Sequence, residues 1–169
     1  LPDFSWATVA STLINCEAAA AFEGLITTGD IWEMTAAEDH WGLHSQTVIS
    51  ARDYINAMRI RPKMQRALDA FLNPFDAVVT PTLATVAYPI DRSWSEYRDG
   101  ARSTQITALG GAGAATGIPA ITLPNGVGEG GLPTGLQLAS RAFNENLLIE
   151  IANRYQAETD FHLNVPKPL

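Results

Sequence analysis

Cysteine and histidine are scarce in this chain of 169 residues, which contains one cysteine and three histidines. An internal disulfide is therefore impossible, and a cysteine cluster for a metal ion is absent. Cys16 lies beside Ile14 and a run of alanines, so we expect a small buried thiol that packs as an apolar side chain. His40 and His44 flank Gly42 in a loop-like stretch, and we expect them to be surface or locally hydrogen-bonded residues instead of metal ligands.

Basic charge is also scarce, because 11 Lys and Arg residues stand against 18 Asp and Glu residues. A nucleic-acid interface needs a basic stripe to displace counterions, and the net charge of −7 argues against one. No run of 18 apolar residues is present, so we expect no membrane span. The first residues, Leu1-Pro2-Asp3, do not resemble a signal peptide, and we expect a cytoplasmic protein.

Charged residues make up 17% of the chain, compared with about 25% in a typical free-standing domain. Apolar residues make up 46%, which is enough to fill a core. This balance predicts a chain that buries a large face against another part of a protein. We therefore expect the isolated chain to aggregate or fold poorly, and to copurify with a partner.

The residue patterns of common catalytic sites are missing as well. None of the eight serines lies in a Gly-x-Ser-x-Gly or Ser-x-x-Lys pattern, and Lys63 and Lys167 are the only lysines. The acidic pairs Asp30/Glu33 and Glu38-Asp39 lie in segments with an exposed composition, which does not support a carboxylate-pair mechanism. The glycine-rich loop 126–131 is followed by no Lys-Ser or Lys-Thr, so it is not a phosphate cradle. We expect no catalytic residue, cofactor or metal in this chain.

Hydrophobic periodicity predicts an α/β chain. The predicted helices run from Ser11 or Thr12 to about Leu25, from Ser50 to about Leu72 with a kink or break near Pro62, from Ala101 to Thr116, and from Asn144 to Tyr155. The apolar run in Asp76–Thr82 predicts a strand that is covered on both faces. Basic residues of the second helix, from Arg52 to Arg66, are predicted to form a solvated face. Residues 84–100, with Pro89, Trp94 and Tyr97, are predicted to form a long loop.

The stretch Gly117–Leu138 predicts a strand–loop–strand unit. Its apolar runs, Ala120–Leu123 and Leu136–Ala139, are separated by the turn-forming pairs Asn125-Gly126 and Gly130-Gly131. Glycine reaches positive φ without a Cβ penalty, which makes these pairs strong strand breakers.

The same stretch reads Gly-x-Pro-Ala-x-x-x-Pro-x-Gly, a loop, and Gly-Leu-Pro-x-Gly-Leu-Gln-Leu. Together with Glu17-Ala18-Ala19, Asp76–Thr82 and the helix opened by Asn144-Glu145, this order of motifs resembles the C-terminal part of amidase signature family enzymes. The resemblance implies a mixed sheet covered by helices, with residues 1–169 as one C-terminal portion of the fold. It also implies that the family's Ser–cis-Ser–Lys machinery lies upstream, because no Gly/Ser-rich run occurs here.

Four pocket residues are implied by this resemblance. The family's strand that corresponds to Asp76–Thr82 ends at the substrate cleft, which makes Thr82 and Leu83 candidate pocket residues. Ala114 stands where the family usually has an asparagine, and the positions one and four residues before it, Gly113 and Gly110, would line the cavity. The alternatives are that Thr82 satisfies loose backbone groups at the strand end and that the glycines allow a helix to pack tightly.

The resemblance therefore implies an amidase that hydrolyses a carboxamide, with this chain supplying strands and part of the acyl-pocket wall. The implied partners are an N-terminal catalytic part as a separate chain and a small amide substrate, and a homo-oligomer stays open. Two alternatives remain: a subunit of a glutamine-dependent amidotransferase, and a non-catalytic scaffold of the same fold. The upstream sequence would separate enzyme from scaffold.

Overall fold

The computed structural model describes residues 1–83, 85–92 and 109–164. They form two compact units, the first from Leu1–Leu68 with Ala114–Thr116 and the second from Asp69–Gly113 with Gly117–Leu169. The helices and strands are α1 (Trp6–Ala21), α2 (Glu23–Thr28), α3 (Ala37–Gln46), α4 (Ala51–Leu72), β1 (Val78–Pro81), α5 (Gly110–Thr116), β2 (Ala120–Val127), β3 (Pro133–Ala139) and α6 (Glu145–Ala157). Among the described residues, no helix combines the length and apolar character needed to cross a membrane.

The first helix begins earlier than the sequence predicts. It starts at Trp6, so the predicted start at Ser11 or Thr12 is wrong. The Thr12 hydroxyl donates to the carbonyl of Thr8 at 2.9 Å, and such a bond within the helix allows a threonine to lie in its interior. The helix also ends at Ala21 instead of Leu25, and α2 follows after one residue.

The core of the first unit is built from aliphatic side chains and a methionine. Val9, Ala10 and Leu13 of α1 cluster with Ala57 and Met64 of α4. Met64 is fully buried in this core. Cys16 is half-buried, so the predicted buried thiol is only partly enclosed.

The helix α4 runs without a break through Pro62, so the predicted break is wrong. A proline inside a helix costs about 3 kcal/mol, but packing on both sides of the site holds the helix. Arg61 Nε donates to the carbonyl of Ala115 at 2.9 Å, and Gln65 Nε2 donates to the carbonyl of Thr116 at 3.0 Å. Arg61 is therefore an anchoring side chain and not part of a solvated face, which corrects that prediction for this residue.

The histidines lie on a helix and not in the predicted loop. His40 and His44 belong to α3, and His40 Nε2 lies 2.7 Å from the carbonyl oxygen of Met34, as expected for a local hydrogen bond. The Trp32 ring is 4.9 Å from the Trp41 ring and stacks on His44 with ring centroids 5.6 Å apart. Trp41 is 69% exposed. These aromatic contacts fix the histidine rings locally.

The second unit contains a three-stranded sheet with the order β1-β3-β2. Both pairings are antiparallel, with Val79 opposite Leu138 in one and Ile121 opposite Leu138 in the other. The α/β class and the predicted strand–loop–strand unit are confirmed. The family resemblance implies a mixed sheet. The described strands pair only in the antiparallel direction. Gly130, between β2 and β3, has a positive φ of 66°, as the turn there requires. Strand β2 continues through Asn125-Gly126 to Val127, so the predicted break at this pair is wrong: Gly126, with φ 124°, lies at a register irregularity inside the strand.

Strand β1 is not covered on both faces, which corrects the sequence prediction. Val79 is 63% exposed, whereas Thr80 is buried. The helix α6 packs against β2 and β3, where Leu148 and Ala152 meet Leu123 and Leu138 in the core of the second unit. An apolar run without alternation therefore does not establish two covered faces.

The turn before α6 is held by a polar network. Asn144 occupies the N-cap position, as predicted, but its side chain does not cap the helix and donates from Nδ2 to Ser140 Oγ at 3.1 Å. The Ser140 hydroxyl in turn donates to the carbonyl of Asp76 at 2.7 Å. Arg141 forms a fork, with Nε and Nη2 on the Asp69 carboxylate at 2.7 Å and 3.1 Å. The hydrogen bond to Asp69 is the main cause of a raised pKa of Arg141. The negative charge of Asp69 raises this pKa further.

Phe143 is a strained residue in this turn. Its φ is 69°, and its side chain is 92% exposed. A left-handed conformation costs an L-residue about 1–2 kcal/mol, and an exposed side chain gains little packing in return. In the complete protein that contains this chain, we expect Phe143→Asn to raise the free energy of unfolding by up to about 1 kcal/mol, because asparagine tolerates this region. Phe143→Val is the matched control and should lower it, since a β-branched residue disfavours positive φ. Equal midpoints of urea unfolding for the two variants would contradict the strain argument.

Several predictions fall outside the described residues. The predicted helix from Ala101 is described only from Gly110, where it runs to Thr116 and ends at Gly117 as expected. Trp94 and Tyr97 of the predicted loop lie outside the described residues, as does the tail 165–169.

Candidate functional site

The end of strand β1 carries the first two candidate pocket residues. The Thr82 amide donates to the carbonyl of Gly135 at 2.9 Å, which continues the pairing of β1 with β3 by one residue beyond Pro81. Thr82 is half-buried, and Leu83 beside it is 60% exposed. At the end of β1, the Leu83 side chain is therefore exposed, whereas Thr82 is partly buried.

The Thr82 hydroxyl has an unusual environment. Its Oγ1 is enclosed and has no hydrogen-bond partner among the described residues. A buried hydroxyl without a partner costs free energy, and most buried polar groups avoid this state. The alternative is that the Thr82 hydroxyl pairs with a free backbone group at the strand end. In the described part of the chain, this hydroxyl forms no hydrogen bond that would support the alternative. The hydroxyl is therefore enclosed and unpaired among the described residues.

The short helix α5 carries the other two candidates. Gly110 and Gly113 are three residues apart and so share one face of the helix. Gly110 is exposed and Gly113 is half-buried. A Cβ placed on Gly113 would meet one described atom within 4 Å, Ile118 Cγ1 at 3.9 Å, which is ordinary van der Waals contact. Packing against the described residues therefore does not explain the glycine at position 113.

The structure groups the four residues into two pairs. Thr82 and Leu83 adjoin each other at the end of β1, and Gly110 and Gly113 share a face of α5. Neither Thr82 nor Leu83 is among the described atoms within 4 Å of a Cβ on Gly113. The contact of Thr82 is instead with Gly135 on β3, a residue that the sequence analysis did not single out as functional. A glycine inside the strand pattern Gly-Leu-Gln-Leu was the available signal, because such a glycine marks a close approach of another segment.

Ser140, the most buried serine of the described residues, is not arranged as a catalytic nucleophile. Ser140 is 2% exposed, and its hydroxyl is engaged by Asp76 and Asn144. A nucleophilic serine needs a base within hydrogen-bond reach, and neither the Asp76 carbonyl nor the Asn144 amide is one. Within residues 1–83, 85–92 and 109–164, no group of three or more His, Cys, Asp and Glu residues is placed to hold a metal ion.

The fold is shared with larger enzymes of known structure. One solved amidase superimposes with a TM-score of 0.75 at 21% identity, covering 91% of this chain and 35% of the amidase. The 6-aminohexanoate cyclic dimer hydrolase superimposes with a TM-score of 0.66 at 16% identity, covering 98% of this chain and 37% of the hydrolase. At these identities the likeness shows the fold alone, and that fold is the one of amidase-type enzymes.

The sequence comparison then gives the family. Residues 20–149 match the family model described as Amidase, so the chain belongs to the amidase family. The A subunit of the glutamyl-tRNA(Gln) amidotransferase from Chloroflexus aggregans is 33% identical over 117 residues, which are 67% of this chain and 22% of that protein. The corresponding A subunit from Legionella pneumophila subsp. pneumophila is 34% identical over 113 residues, which are 67% of this chain and 23% of that protein. The chain thus spans less than a quarter of the length of these curated relatives.

Proposed function

We propose that this chain is the C-terminal portion of an amidase that hydrolyses a carboxamide. In the reaction, water cleaves the C–N bond and yields a carboxylate and ammonia or an amine. The observation that carries the proposal is the coverage: 91% of this chain matches only 35% of a solved amidase, in a region of the sequence without a serine–lysine pattern. The nucleophile and its base are then carried by the N-terminal part of the enzyme.

The role of this chain is to supply sheet strands and part of the acyl-pocket wall. Thr82 and Leu83 would form the wall at the end of β1, and Gly110 and Gly113 would form it on α5. Pockets for small molecules are mostly apolar with a few placed polar groups. The exposed Leu83 side chain and the Thr82 hydroxyl, which no described residue pairs, match that composition.

A second function is favoured by the sequence relatives, which are named as amidotransferase components and share 33% and 34% identity with this chain. In this alternative the complete protein acts with partner subunits in glutamine-dependent amide transfer. The two functions differ in whether one protein releases ammonia from a simple amide without partners. A non-catalytic scaffold would do neither.

The experiment uses the complete protein encoded by the reading frame that contains these 169 residues. It is purified alone and assayed for ammonia release from a panel of aliphatic and aromatic primary amides. We expect turnover, together with covalent labelling by a fluorophosphonate at a serine outside residues 1–169, located by mass spectrometry. Ammonia release from glutamine only after addition of partner subunits would favour the amidotransferase. A label on one of the eight serines of this chain would refute the proposed division of roles.

A further inference from the structure

Two glycines of the hairpin formed by β2 and β3 lie directly beneath the segment that follows β1. A Cβ on Gly135 would lie 2.9 Å from Thr82 Oγ1, and a Cβ on Gly128 would lie 2.8 Å from Val86 Cγ1. Real Cβ atoms essentially never make contacts shorter than 3.0 Å. Thr82 and Val86 therefore each lie against the hairpin at a point where a side chain is missing.

Gly128 and Gly135 are required because a side chain would not fit at these positions. Their backbone conformations do not require glycine. Gly128 has φ −107° and ψ −148°, and Gly135 does not have positive φ. By contrast, Gly130 and Gly131 in the same hairpin have positive φ and no described atom within 4 Å of an added Cβ. The hairpin thus uses one pair of glycines to turn and a different pair to admit a neighbouring segment.

The neighbours of Gly135 leave an added side chain no room to move away. Its Cβ would also lie 3.3 Å from the carbonyl oxygen of Leu123 and 3.4 Å from Thr122 Cγ2, on the other strand of the hairpin. Thr82 is β-branched and has restricted side-chain rotamers, so its hydroxyl does not turn aside freely. An alanine at position 135 would then displace Thr82 itself and stretch its 2.9 Å backbone hydrogen bond to Gly135.

We infer that Gly135 and Gly128 are positioning residues for the pocket wall, Gly135 by seating Thr82 and Gly128 by seating Val86. This inference rests on the proposed function, because it assigns Thr82 and Leu83 to the acyl pocket. The glycines act through the segment they admit and do not themselves contact the substrate. The Thr82 hydroxyl is enclosed and lies against Gly135, which holds Thr82, and with it the neighbouring Leu83, in one place at the end of β1.

The test is a double-mutant cycle in the complete protein. Gly135→Ala is expected to lower kcat/KM for the best amide by about tenfold, mainly through a higher KM, because a displaced wall residue weakens substrate contacts. It should also lower Tm by several degrees, as overpacking does. In the Thr82→Ala background, where Oγ1 is absent, both effects of Gly135→Ala should vanish. In the Thr82→Val background, where both γ atoms remain, the loss of Tm should persist.

The matched control is Gly42→Ala, in helix α3, where no described atom lies within 4 Å of an added Cβ. It should leave KM unchanged. A fall in Tm for Gly135→Ala that is the same in the wild-type and Thr82→Ala backgrounds, without a change in KM, would overturn the inference. If the complete protein hydrolyses no amide, the proposed function fails separately. The Tm cycle then decides whether Gly135 seats Thr82: loss of the effect in the Thr82→Ala background supports it, and persistence refutes it.

Discussion

The isolated chain is expected to release no ammonia or amine from any simple amide, while the complete protein turns such amides over. The reason is chemical, since hydrolysis needs an activated nucleophile and a stabilised oxyanion. The only lysines, Lys63 and Lys167, have no serine beside them in the sequence, and the hydroxyl of the buried Ser140 is held by Asp76 and Asn144. The loss should therefore be complete within the detection limit of an aryl-amide assay.

In the same experiment, the isolated chain should aggregate or remain poorly folded. Apolar side chains such as Val79, Leu83 and Ile90 are largely exposed, and an uncovered strand with such residues promotes association. Coexpression with the N-terminal part of the protein should recover soluble chain, copurification and activity together. A monodisperse monomer of 18.2 kDa that melts cooperatively and hydrolyses an amide would contradict the whole fragment interpretation.

The second large effect concerns the size of the acyl group that the enzyme accepts. Glycines at positions 110 and 113 leave one face of α5 without side chains, which would enlarge a pocket lined by it. Valine at both positions in the complete protein should therefore lower kcat/KM for bulky aromatic amides by roughly tenfold or more, since one apolar contact changes discrimination by about 1–3 kcal/mol. Small amides of acetamide size should hardly change.

Two features make this prediction sharp. An added Cβ on Gly113 makes only an ordinary contact with Ile118, so the Cβ of the new side chain at this position meets no clash with the described residues. Ala114→Val is the matched control, because Ala114 is exposed on the same helix and the change introduces the same β-branched side chain there. Equal losses for large and small amides, or no loss for either, would favour the alternative that the glycines serve helix packing.

The sequence predicted the hairpin and the last helix well because their signals are local. The turn at Gly130 needs positive φ, and the stripe around Leu148 and Ala152 repeats with the helical period. The predictions for α1, α3 and α4 failed at details that depend on neighbours. The hydroxyl of Thr12 can bond inside a helix as readily as cap one, and Pro62 is tolerated where packing on both sides outweighs one lost hydrogen bond.

By itself, the sequence determined the family, the order of the strands along the chain and the lack of a serine–lysine pattern, because each follows from residue identity and spacing. The tertiary structure alone decided which glycines make room and which make turns. The strand pattern around Gly135 signals a close approach but does not name the residue that approaches, and no pattern marks Gly128. Of the four glycines Gly128, Gly130, Gly131 and Gly135, only Gly128 and Gly135 lie under another described residue. The reason is that a steric requirement comes from residues distant along the chain, such as Thr82, and a short sequence pattern carries no information about them.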